Sequence, residues 1–350
     1  MSYTKDQINY GKFPKIVALI YVALIILMIG LMILSFPLGL YTVLNLEIGV
    51  INTIIFISLW FIYLALFIEA IRGPRLPLNR VPRSTLNYGL KSVFDNTSSA
   101  LAVTLSALFL IILFIELLQE SVGIRTGSPD IDPILTFIAP IDEEIIFRVA
   151  IIGTVTILLL SMEGRVIWLF LLSFTLVVIL LSLIIGLVIF ALLVALLLLI
   201  KGVHFNPFKV LWHPAKYISE LGTKTNMKVI YFAILISGAF FGYAHIAPGG
   251  GWEIGKFTPS FLAGIVFGLI YFFYGFPGVV LLHWSFNYFL EPFFYFGNVI
   301  GESSLYFTYY YLIFITGPAS ILFLLIYTLQ NIKAYNKQRS SESEEKIEMM

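Results

Sequence analysis

Cysteine is missing from the 350-residue sequence, which removes disulfides, thiolate metal sites and a cysteine nucleophile together. Charge is scarce. Asp, Glu, Lys and Arg make up 12% of the residues, about half their share in an ordinary soluble domain. Neither sign prevails, with 21 Lys and Arg against 20 Asp and Glu. No basic block is present, so the footprint of a nucleic-acid binder is lacking and no nucleic-acid partner is expected. Short apolar–polar alternation is lacking too, which excludes a transmembrane β-barrel. What is there is apolar: 59% of residues are hydrophobic, in runs of 17 to 35, the lengths of helices that cross a bilayer.

The expected architecture is an all-α, polytopic membrane bundle of about ten transmembrane helices. Spans are expected at about Ile16–Phe36, Gly49–Ile71, Ser98–Leu118, Ile134–Leu160, Met227–Ile246, Thr258–Tyr274, Pro277–Phe296 and Leu305–Gln330. The first is too long for a signal-peptide core and no cleavage pattern follows it, so it reads as a retained span. Val166–Ile200 is an unbroken apolar stretch of 35 residues. As one helix it would be about 50 Å long, well beyond a hydrocarbon core of about 30 Å. Charge sidedness favours a helix pair there. With two crossings and a cytoplasmic N-terminus, 18 of the 21 basic residues fall inside; Arg125 and Lys256 fall outside, and Arg148 lies within a span. Both termini are then cytoplasmic, in a multi-pass protein of the cell membrane.

Four regions follow. Residues 1–120 carry N-terminal spans and loops, and 121–300 form the polar-motif core with an insertion near 164–226. Residues 301–330 hold the last span and 331–350 a tail expected to be disordered. Residues 201–225 mix Phe205, Phe208, Trp212 and Tyr217 with lysines and read as an interfacial segment. Residues 72–96, with three prolines, read as a loop or interfacial segment.

An ionisable side chain within a span costs roughly 2.5–3.5 kcal/mol at a helix centre and marks a candidate site. Three groups qualify. In the fourth span, Glu144 and Arg148 stand at i and i+4 and can pair on one face, which reads first as a structural ion pair. Glu143 points about 100° away and is left over once that pair forms, a carboxylate suited to general-base work. Phe241 and His245 share a face near the end of the next motif helix, where Gly238 and Gly242 would let a neighbouring helix approach closely. His283 and Asn287, again at i and i+4, project into one cavity. They either join helices or donate hydrogen bonds to an oxyanion. Glu291 extends that face, whereas Ser285 is turned away from it, which weakens a serine-nucleophile reading. His204 and His213 sit among aromatics in the interfacial segment and are not expected to be catalytic.

Glu143-Glu144-x-x-x-Arg148, Phe241-x-x-x-His245 and His283-x-x-x-Asn287, in this order, resemble the three motifs of the CPBP family. That family comprises the glutamate intramembrane proteases, including type II CAAX prenyl endopeptidases and the Abi bacteriocin-processing and immunity proteins. The resemblance implies that Glu143, helped by His245, activates a water. It implies that His283 and Asn287 form an oxyanion hole, and that Glu144, Arg148 and Phe241 support the site. It implies no cofactor and no metal, and no His-Glu-x-x-His helix is present to favour zinc. The expected partners are a peptide or membrane-protein substrate and the lipid bilayer. The interval between the first two motifs is longer than is usual in the family. Charge counting places Glu143 and His245 in the outer half of the membrane, whereas the CAAX proteases open to the cytosolic side, so the resemblance does not carry a prenylated substrate over to this chain. An alternative is a non-catalytic immunity or scaffold protein of the same fold. A proton-coupled carrier would need two matching halves with broken helices, which the sequence lacks.

Overall fold

The computed structural model describes residues 12–45, 50–73, 75–88, 90–127, 133–161, 205–222, 225–247, 252–288 and 311–329. Every regular element among them is helical. In chain order they are α1 (Lys12–Asn45), α2 (Val50–Arg72), α3 (Val81–Tyr88), α4 (Thr97–Ser121) and α5 (Pro133–Glu144). A π-helical segment (Ile145–Gly153) runs from α5 into α6 (Thr154–Ser161). The short α7 (Pro207–Trp212) and α8 (Pro214–Leu221) precede α9 (Met227–Ile246) and α10 (Phe257–Tyr288). The last helix, α11, covers Tyr311–Leu329. Six helical segments are long and apolar enough to cross a membrane. The chain is therefore a multi-pass membrane protein. The unbroken helical run over residues 133–161 corresponds to the expected fourth span. The expected helix pair at 166–200, His204, Glu291 and the tail lie outside the described residues.

Two expected spans fall within α10, and the chain reverses between them. Gly275 has φ 80° and ψ −178°, a conformation open to glycine because it lacks a Cβ. The rings of Phe267 and His283 are 4.7 Å apart, whereas sixteen residues of straight helix would separate them by about 24 Å. α10 is thus a hairpin of two antiparallel arms. A Cβ at residue 275 would collide with the Trp212 carbonyl and the His213 ring, so the turn sits directly against the α7–α8 junction.

That junction is tied to α2 as well. The Glu69 carboxylate accepts hydrogen bonds from His213 Nε2 at 3.0 Å and Trp212 Nε1 at 3.3 Å. The expected interfacial segment is therefore anchored to two spans. Asn96 caps α4 through Ser99 N and donates to the carbonyls of Ile71 and Leu76, so α4 begins where α2 ends. This end of the bundle carries Arg72, Arg75, Arg80, Arg83, Lys209 and Lys216. At the other end the Arg125 carbonyl accepts from Gly255 N at 3.0 Å, placing Arg125 beside Lys256, the two residues counted as external. Val155 and Leu158 of α6 pack on Val229 and Ala233 at the start of α9, and Gly153 abuts Leu211 of α7. Residues 161 and 205 therefore both lie toward the basic end of the bundle.

α9 and the first arm of α10 cross at close backbone range. A Cβ on Gly264 would lie 2.8 Å from the Gly238 Cα, and one on Gly242 would lie 3.0 Å from the Phe257 carbonyl oxygen. The spacing read from Gly238 and Gly242 thus does bring a neighbouring backbone close, as small residues permit in membranes.

Candidate active site

Glu144 and Arg148 meet as their spacing predicts. Arg148 Nε lies 3.1 Å from Glu144 Oε2, and both side chains are fully buried. The guanidinium sits 4.3 Å from the Phe241 ring centroid and 5.3 Å from that of Phe267, a cation–π enclosure that holds the charge away from lipid. Its Nη2 donates to the Gly264 carbonyl at 3.5 Å, the carbonyl that the close glycine contact leaves accessible. Arg148 lies in the π-helical segment, whose i→i+5 bonding shifts the carbonyls relative to an α-helix and is frequent at functional sites. The Phe147 carbonyl is taken by the Ser237 hydroxyl at 2.7 Å, so α9 clamps this segment.

His283, on the second arm of α10, bridges the adjacent carboxylates. Its Nδ1 is 2.7 Å from Glu144 Oε1 and its Nε2 is 3.5 Å from Glu143 Oε2. A carboxylate facing Arg148 can only accept, so Nδ1 of His283 carries the donated proton and Nε2 is turned toward Glu143. The two carboxylates differ in access: the Glu143 side chain is 29% exposed and that of Glu144 is 0%. Of the neighbouring pair, the Glu143 side chain is the more open, although its Oε2, the atom that faces His283, is itself buried.

His245 lies in the same cluster through Phe241, whose ring is 4.6 Å from His245 and 5.6 Å from His283. His245 Nδ1 donates to the Phe241 carbonyl at 2.8 Å. Since a carbonyl can only accept, Nε2 of the neutral ring is left with its lone pair. No direct contact between His245 and Glu143 is found among the described residues. Asn287 is part-buried one turn beyond His283. Ser285 is buried, with a hydroxyl that has no hydrogen-bond partner among the described residues. His213, set aside as non-catalytic, is held by Glu69 at the basic end. No group of three or more His, Asp or Glu side chains among the described residues is arranged to hold a metal ion.

Two features were not anticipated: the Glu144–His283 bond and the Ser237 clamp. The first joins residues 139 apart and leaves no local trace. The second had a signal, a lone hydroxyl in an apolar helix whose partner was not local. The next residue, Trp284, fixes the direction in which His283 points. Its fully buried indole sits 5.5 Å from Tyr63 and 5.8 Å from Phe67, edge-on to the latter.

Residues 216–289 match the family model described as type II CAAX prenyl endopeptidase Rce1-like. No curated protein and no solved structure matches the chain. The matched stretch contains Phe241, His245, His283 and Asn287; Glu143, Glu144 and Arg148 precede it in sequence and join it through the fold. The match supports the assignment of the chain to the CPBP family, a family of proteases.

Proposed function

We propose that this protein is a glutamate-type intramembrane endopeptidase that hydrolyses a peptide bond without a metal ion. Water sits between the Glu143 carboxylate and the Nε2 lone pair of His245. Glu143 removes one proton as the water oxygen bonds to the carbonyl carbon of the substrate. The resulting oxyanion accepts hydrogen bonds from the Asn287 amide and from His283. When the carbon–nitrogen bond breaks, Glu143 returns its proton to the leaving amine. His283 donates only when Nε2 is protonated, because its Nδ1 proton is engaged by Glu144.

The observation that carries this reading is the unequal access of the adjacent carboxylates: Glu143 is 29% exposed beside a fully buried Glu144–Arg148–His283 group. A base has to meet water, whereas a supporting carboxylate does not. The test compares peptides and membrane proteins from cells expressing the wild type or Glu143→Gln. Cleavage products present with the wild type and lost with the variant at equal expression support the reading. Unchanged products sink it and favour the non-catalytic alternative.

A further inference from the structure

A cavity of about 720 Å³ opens at the basic end of the bundle and shares no residue with the Glu143–His283 cluster. Its deep wall is Ile145 and Val149 of the π-helical segment, with Leu211 and Phe276 beside them, and its rim carries Lys209 and Lys216. We propose that this cavity binds a membrane phospholipid, with one acyl chain against the deep wall and the phosphate at Lys209 and Lys216.

The chemistry of the rim supports that occupant. Among the described residues no carboxylate lies within salt-bridge range of Lys209, whose Nζ rests 5.8 Å from the Tyr217 ring. Lys216 reaches Glu220 only at 4.0 Å. Glu69 and Glu220 line the cavity too, so its two lysines face two carboxylates; Glu69 is engaged by His213 and Trp212 and Glu220 by Lys216, which leaves Lys209 as the ammonium without a described carboxylate in range. Basic pockets between membrane helices bind lipid headgroups in this way. Phe208 and Trp212 are 64% and 42% exposed on the two short helices, the placement of aromatics at the headgroup level. The cavity therefore begins where phosphates lie and ends where acyl chains lie.

The test uses the full-length protein in a phospholipid-free detergent, titrated with phosphatidylglycerol whose acyl chain is brominated. The wild type is expected to take up one lipid by native mass spectrometry, with quenching of tryptophan fluorescence that Trp212→Phe removes. Lys209→Gln with Lys216→Gln should weaken binding about thirtyfold, the effect of two lysines near a headgroup. Val149→Phe, which fills the deep wall and leaves the rim charge alone, should also lose the lipid. Melting temperatures identify a variant that has failed to fold, and the remaining variant then decides. Wild-type affinity in a folded variant, quenching that survives Trp212→Phe, or displacement by millimolar inorganic phosphate would overturn the proposal.

Discussion

A carboxylate buried against a guanidinium and a neighbouring carboxylate left partly open respond differently to the same substitution. Glu144→Gln removes the counter-charge of a fully buried Arg148, and breaking one side of a buried pair costs about 3–5 kcal/mol. A large fall in melting temperature in detergent is the expected result. Glu143→Gln keeps the shape of a side chain that is 29% exposed and whose Oε2 is 3.5 Å from His283 Nε2, so the melting temperature should move little. Activity should fall by a factor of about 10²–10⁴, the range for losing a general base. Asn287→Ala tests the oxyanion assignment: kcat should drop by about 10²–10³ with KM nearly unchanged. At this scale the sequence was informative wherever partners are a helical turn apart, as in Glu144–Arg148 and Phe241–His245. It was silent on the choice between Glu143 and His245 as the residue facing His283, because that depends on how three separate helices pack.

Among elements, the crossing of α9 with the first arm of α10 depends on the absence of side chains. Gly264→Ala puts a methyl 2.8 Å from the Gly238 Cα, and such overpacking costs roughly 1–3 kcal/mol. Gly30→Ala, where a Cβ meets nothing within 4 Å, is the control and should be neutral or slightly stabilising in thermal unfolding. Ser237→Ala leaves the buried Phe147 carbonyl without its donor, a loss of about 1–3 kcal/mol. The limits of α9 coincide with those expected, Met227 to Ile246, because Asn226 caps the start through Lys228 N and the apolar run ends at His245. The hairpin in α10 was legible from Gly275 and Pro277, which interrupt an otherwise continuous apolar run. The π-helical segment was not, since Ile145–Gly153 has a composition that suits an α-helix equally well.

At the scale of the whole molecule, basic residues gather at one end of the bundle while Arg125 and Lys256 meet at the other. The absence of native cysteine makes sidedness measurable one position at a time. Cysteines introduced at Arg80 and Lys216 should react with an impermeant maleimide from the same side of sealed membranes, and one at Gly123 from the opposite side. Labelling of all three from one side would refute the ten-crossing arrangement.

The reversal at Gly275 turns residue number into depth. His283 lies eight residues past the turn, about 12 Å along the second arm. Inserting one residue into that interval raises the imidazole by about 1.5 Å and swings it through about 100°. Inserting four nearly restores its facing but lifts it by about 6 Å, away from Glu144. No insertion keeps both, so the arm works as a gauge of fixed length. Side chains along it can be exchanged one by one with local effects, whereas any change in its length is felt at once by His283, Trp284 and Asn287 together.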